Sequence, residues 1–171
     1  MNTIFSLPMD IYKNRRLVGK LAKNDFKTRY AGSYLGIVWA FIQPVITILV
    51  YWFVFSVGFR SGTGDLGVPF VLYLVAGIVP WFFFQDALIG GTNSLLEYNY
   101  LVKKVVFNIS VLPVVKIISA MFVHAFFVLF TIILYAAYGK FPDIYYLQII
   151  YYSGCVFLLV LGLSYATSAI V

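Results

Sequence analysis

The chain has 171 residues, 63% of them hydrophobic, 20% aromatic and 11% charged, with a formal net charge of +6 and a mean hydropathy of +0.95. Soluble domains carry about 25% charged residues and must show much of their surface to water, so a soluble fold is excluded. The apolar and aromatic content excludes disorder as well, and leaves a chain whose main solvent is lipid.

The first element runs from Asp10 to Tyr30. Lys13, Arg16, Lys20, Lys23 and Lys27 recur at intervals of three and four, which aligns them on one helical face. Leu17, Val18, Leu21, Ala22 and Phe26 project from the opposite side. An amphipathic helix over residues 10–30 is expected, capped by Asp10 and lying in the headgroup layer, its basic side chains toward phosphates or an acidic partner. Topological anchoring by the same charges is the plainer alternative. No nucleic-acid motif accompanies this face, so nucleic acid is not an expected partner.

A bilayer core of about 30 Å takes about 20 helical residues, and charges at its centre are costly. Ala31 to Phe59 is a 29-residue stretch without an ionisable Asp, Glu, Lys, Arg or His. Leu66 to Gln85 gives 20 such residues and is extended past Asp86 to about Leu95. Ile117 to Gly139 gives 23, interrupted by His124, and Ile144 to Val171 gives 28. The fold class is therefore an all-α polytopic membrane protein: the interfacial helix plus four spans, over residues 33–59, 68–95, 111–138 and 144–171. The first run is far longer than a signal-peptide core, and continuous apolar runs do not match the alternation of a β-barrel. Seven basic residues precede the first span and Lys103, Lys104 and Lys116 follow the second, so ten of twelve fall on one side, assigned to the cytoplasm. Phe59, Tyr73, Tyr138, Tyr145 and Tyr146 fall where interfacial aromatics belong. Cys155 has no partner for an internal disulfide, and a single histidine, His124, argues against a zinc site; no metal site is expected.

Between the second and third spans, Glu97 to Val115 places Leu101, Val102, Val105 and Val106 on one face of a short helix bearing Lys103 and Lys104, with a break at Asn108 and Pro113. It reads either as a segment that docks on a soluble partner or as an ordinary hairpin connection. Asp86 is either an intramembrane carboxylate paired with Lys116 or Arg29, or a marker of the membrane interface. His124 is either a hydrogen-bonded packing residue or a proton relay, the former favoured by the lack of a nearby acidic partner. Gly90 to Ser94 form a small-residue end to the second span, suited to close packing or bending. Tyr51, Phe55 and Phe59, and likewise Trp81, Phe84 and Gln85, recur at helical spacing and face either lipid and packing or a pore, where rings would stack on sugars. Nucleotide-binding loops, H-E-x-x-H and G-x-S-x-G are missing from the sequence, which leaves Asp86 as the one catalytic acid placed within a span.

Three segments carry a resemblance. KTRYAGSYLGIVWAFIQP (Lys27 to Pro44), LYLVAGIVPWFFFQDAL (Leu72 to Leu88) and LVKKVVFNISVLPVVK (Leu101 to Lys116) resemble, in order, the entry to span one, span two and the cytoplasmic segment of ABC-2 type permeases. The likeness is to the polysaccharide, O-antigen and teichoic-acid export branch. Its motif positions here are Arg29, Tyr30, Ser33, Gly36, Trp39, Pro44, Gly77, Pro80 and Trp81. The resemblance implies a dimeric permease, not an enzyme, working with two ATP-binding subunits. ATP and Mg would reside on those partners, and no cofactor on this chain. It implies that Lys13, Arg16, Lys20, Lys23 and Lys27, together with Glu97, Leu101, Lys103 and Lys104 of a coupling segment at 97–110, face the ATPase. It also implies a glycan or lipid-linked glycan substrate, membrane lipids as surroundings, and a conduit for which Tyr51, Phe55 and Phe59 are the candidates. Residues 1–171 would form a single transmembrane domain. Two departures stand out: Asn108 follows Phe107 where the family often has proline, and family subunits have six spans, so the chain is expected to represent the first four. Permeases for a lipid or small lipophilic drug, a non-translocating scaffold and a membrane-embedded enzyme are the alternatives.

Overall fold

The computed structural model of the chain describes residues 11–12, 14–32, 34–59, 68–98, 109–168 and 170. Helix α1 spans Arg15–Arg29. Helix α2 spans Trp39–Phe53, entered by a 3-10 turn at Gly36–Val38 and continued by a π-helical turn at Val54–Gly58. Helix α3 spans Phe70–Glu97, α4 Leu112–Ala137 and α5 Leu147–Ser168, the last entered by a 3-10 turn at Ile144–Tyr146. With their flanking turns, α2 to α5 are four helices long and apolar enough to cross a membrane. Joined by α1, they form the all-helical, multi-pass architecture expected from the gaps between charges.

Helix boundaries follow local chemistry. Pro69 immediately precedes α3 and Pro113 stands in the first turn of α4, where a missing backbone N–H costs nothing. Pro113 thus starts the third span. At the head of the fourth, the Ile144 amide donates to Asp143 Oδ1 at 2.6 Å. Pro44 and Pro80 lie inside α2 and α3, as proline does in membrane helices more often than in soluble ones.

Helix α3 is central. Its Phe83 and Ala87 pack with Ile117 and Ala120 of α4 and Val160 of α5, while Val75 and Val79 meet Phe127 of α4 and Ile48 of α2. Close approach of α3 to α5 depends on Gly91: a β-carbon there would stand 2.3 Å from Ser164 Oγ and 2.8 Å from Ser164 Cβ. Thr92 and Thr167 share a hydroxyl hydrogen bond of 2.7 Å one residue further along. The small-residue end of the second span is therefore a packing surface.

Helix α1 docks on the first turns of α4, with Val18 and Ala22 buried against Val111, Val114 and Val115. Residues 30–32 and 34–35 are turns between α1 and α2, and Gly36 has a φ of +53°, in the left-handed region that favours glycine. Helix α2 buries only Ala40 and Ile48 within its span, as few as α5, which buries Val160 and Ser164.

Candidate functional site

The described polar groups concentrate where α1 meets the ends of α3 and α4. Helical geometry explains the convergence: Val18, Ala22, Asp25 and Arg29 are spaced four, three and four, so one stripe of α1 begins apolar and ends ionic. Val18, Ala22 and Asp25 are buried. The opposite face carries Arg16, Lys20, Lys23 and Lys27, all exposed. The amphipathic reading of α1 therefore holds with a small rotation. Leu17 is exposed rather than buried, because the docked face is turned toward Asp25 and Arg29.

Asp25 is 4% exposed and Lys116 of α4 is 5% exposed; Lys116 Nζ stands 2.6 Å from Asp25 Oδ1. The Tyr98 hydroxyl donates to the same oxygen at 2.7 Å, and Lys116 also pairs with Glu97. Lys116 Nζ lies 5.1 Å from the Tyr98 ring centroid, within cation–π range. One helical turn beyond Asp25, Arg29 Nη1 donates to both carboxylate oxygens of Asp86 at 2.8 Å. Its Nη2 stands 3.6 Å from Asp25 Oδ2. Two cations and three carboxylates from α1, α3 and α4 thus share a cleft of about 430 Å³, bordered also by Thr28, Ile89 and Gly90.

Burial ranks these pairs. The Asp86 and Glu97 side chains are 45% and 51% exposed, so solvent screens them and each pair contributes about 1 kcal/mol or less. Asp25 and Lys116 are both nearly dry. Removing one of such a pair strands the other, at a cost of about 3–5 kcal/mol. Burial by itself would push the Asp25 carboxyl up, but hydrogen bonds from Lys116 and Tyr98 and the Lys116 charge outweigh it and hold it below the ordinary carboxylate value. For Arg29, burial would lower the guanidinium, and the charges of Asp86 and Asp25 more than reverse that. The pairing thus favours the charged forms of Asp25 and Arg29.

Of the two partners expected for Asp86, the structure selects Arg29; Lys116 goes to Asp25 and Glu97. Asp25 escaped the sequence reading, although its place on the 18–22–25–29 stripe was the available signal. Tyr30 is half-buried, its ring edge-on to Phe26 at 5.8 Å. Trp39 is exposed at the head of α2, Gly77 has open space around it, and Trp81 is exposed and stacked on Phe84 at 5.7 Å. Asp10, Lys13, Ser33, Leu101, Lys103, Lys104 and Asn108 lie outside the described residues.

Away from this cluster, Tyr51, Phe55 and Phe59 are exposed. Phe55 lies between Phe59 and Phe70, with ring centroids 5.5 Å from each. The π-helical turn at Val54–Gly58 lies between Tyr51 and Phe59 and takes the ring row off a strict α-helical repeat. A second cavity of about 500 Å³ opens between α3, α4 and α5, lined among others by Phe83, Tyr135 and Tyr152. Along its side, His124 Nε2 and Ser153 Oγ are hydrogen-bonded at 3.0 Å and the imidazole stacks on Phe83 at 4.6 Å.

Comparison with known proteins supplies the context for this geometry. No family model matches the chain. The O-antigen export system permease protein RfbA of Myxococcus xanthus is 30% identical over 136 residues, covering 80% of this chain and 51% of the relative. Two proteins of the same description from Klebsiella pneumoniae are 29% identical over 94 residues, 54% of this chain and 34% of each relative. The chain spans about half the length of the Myxococcus relative and about a third of the others. It is a distant homologue of the O-antigen export permeases, in line with the resemblance carried by its three motifs.

Proposed function

We propose that the chain is the membrane-spanning permease part of an ATP-driven exporter that carries a polysaccharide across the bacterial cytoplasmic membrane. The alignment of four-fifths of the chain with an O-antigen export permease carries this reading. The distribution of basic residues agrees with it: α1 and the 99–108 segment share the side that the positive-inside rule assigns to the cytoplasm. There the exposed row Arg16, Lys20, Lys23 and Lys27, with Glu97, Leu101, Lys103 and Lys104, meets an ATP-binding subunit. That subunit holds ATP and Mg and performs the hydrolysis. A second copy of the permease completes the conduit. Tyr51, Phe55 and Phe59 offer flat aromatic faces on a span that is otherwise little packed, the chemistry suited to sliding sugar rings.

The test is co-purification of the full gene product with the ATP-binding protein of its operon, followed by ATPase assays in proteoliposomes. Charge reversal at Lys103 and Lys104 should change ATPase stimulation. Unchanged stimulation and unchanged assembly would remove the docking assignment. Leucine at Tyr51, Phe55 and Phe59 should reduce glycan display at the cell surface; undiminished display would move the cargo toward a lipid or lipophilic molecule.

A further inference from the structure

We propose that the cavity between α3, α4 and α5 is a lipid site, holding one acyl chain of a glycerophospholipid from the leaflet on the side away from α1. The inference goes beyond the export reading and needs only the membrane spans.

The cavity is walled by one stripe from each helix. Val79 and Phe83 of α3, Val128 and Ile132 of α4, and Ile149 and Val156 of α5 line it, at spacings of four and seven that keep side chains on one helical face. Its depth follows from α4. His124 stands at the middle of that helix and Tyr135 in its last turn, the end opposite to the one on which α1 docks. At about 1.5 Å per residue they are separated by about 16 Å, and one leaflet of an about 30 Å hydrocarbon core is about 15 Å thick. Spread over that length, a volume of about 500 Å³ leaves a slot roughly 6 Å across, whereas a helix with its side chains needs about 10 Å. The slot takes an extended chain and not another span.

Polarity divides along the same axis. At the floor, His124 Nε2 and Ser153 Oγ are hydrogen-bonded to each other, and the other ring nitrogen, Nδ1, is buried. Higher up, the Thr131 hydroxyl donates to the Phe127 carbonyl at 2.8 Å and the Tyr135 hydroxyl to the Leu72 carbonyl at 3.2 Å. The polar side chains of the α4 wall are thus engaged within the protein, which leaves hydrocarbon facing the slot. At the mouth stand Tyr145 and Tyr146, as tyrosines do at the level of lipid headgroups. Lys140, exposed on the α4–α5 connection, supplies a cation for the phosphate, while Asp143 accepts from the Ile144 amide.

The packing of α5 calls for such an occupant. From Leu147 to Val156 none of its residues is buried, and the buried Val160 and Ser164 both lie beyond that half. Helices in a bilayer associate through packing contacts, and an unfilled gap forfeits them. A bound chain supplies the contacts that this half of α5 lacks against α3 and α4.

The experiment places the full-length gene product in phosphatidylcholine vesicles doped with a phosphatidylethanolamine whose acyl chain ends in a diazirine. After irradiation, peptide mapping should find Val128, Ser153 and Val156 labelled about tenfold above Leu129 and Leu158, which are exposed at similar depth. Val128→Trp fills the slot from α4 and Ile149→Trp from α5. Either should lower labelling of Ser153 and Val156 about tenfold and leave Leu158 within about twofold. Equal labelling of the slot and the exposed positions in the wild-type protein would mean an ordinary lipid annulus and overturns the proposal. An unlabelled slot would mean that a further helix or a second copy covers it, and overturns the proposal as well. The wild-type comparison decides between these even if neither tryptophan variant folds, and each result leaves the export reading untouched.

Discussion

Gly91 gives the sharpest energetic prediction, because two opposing effects act on one substitution. Alanine is a better helix former than glycine by about 1 kcal/mol, so Gly91→Ala in an open position would stabilise α3. Here the new methyl group would stand 2.3 Å from Ser164 Oγ and 2.8 Å from Ser164 Cβ. Ser164 Cβ is fixed to the backbone of a packed helix, so a rotamer change relieves only the contact with Oγ and α5 must move. Overpacking of this kind costs about 1–3 kcal/mol, which exceeds the propensity gain and leaves the variant less stable by up to about 2 kcal/mol. Ser164→Gly reopens the gap. Alone it should destabilise by about 1 kcal/mol through helix propensity; combined with Gly91→Ala it should stabilise. Unfolding by SDS titration in mixed micelles, followed by circular dichroism, measures all four corners of this cycle. An identical effect of Ser164→Gly in both backgrounds would refute the argument that α3 and α5 meet through a glycine-sized gap.

Three further outcomes follow from the polar groups. Asp25 is held below its ordinary value, so its contribution to docking is complete above the unfolded carboxylate value of about 3.9 and is lost as pH falls through the lower folded value. A spin label at Lys23→Cys in the Cys155→Ser background should keep constant mobility from about pH 8 to about pH 5 and become mobile only below about pH 4; release near neutrality would contradict the assignment. Because Asp25 and Lys116 are nearly dry while Asp86 and Glu97 are half-exposed, raising salt to roughly 1 M should leave hydrogen exchange of α1 almost unchanged, and a large rise would show that screened surface pairs hold it. Alanine at His124 and at Ser153 should each cost about 1 kcal/mol in the SDS titration, with the double variant costing less than their sum; full additivity would deny the 3.0 Å hydrogen bond a share in stability.

The number of spans was legible because a charge inside lipid is expensive: long runs free of Asp, Glu, Lys, Arg and His mark helices almost without regard to side-chain detail. Packing within the bundle was much less so. Apolar residues face both lipid and protein, so Leu72 and Val75, fully buried, do not differ in type from exposed neighbours such as Ile46 and Val57. Small residues were the better guide: the Gly90–Ser94 run announced close packing, and Gly91 supplies it against Ser164. The π-helical turn at Val54–Gly58 had no signal in hydropathy, since it changes hydrogen-bond register without changing polarity.

The ionic cluster shows why the rest was hidden. Asp86 stands out in the sequence because it interrupts an apolar run, with Lys116 and Arg29 as its candidate partners. Asp25 interrupts nothing: it lies in a segment rich in Lys and Arg, where a carboxylate passes for surface balance. Only the 100° step of the helix separates it from the exposed Lys23 and Lys27 and sets it on the stripe with Val18 and Ala22. An acid on the apolar side of an amphipathic helix must be paired or neutral, since an isolated carboxylate there would cost several kcal/mol. That rule turns a periodicity argument into a search for a cation. Lys116, the basic residue at the edge of a span rather than in a charged run, is the complementary anomaly. Each is unfavourable alone, and their meeting at 2.6 Å fixes α1 on α4 more firmly than the exposed basic row beside it.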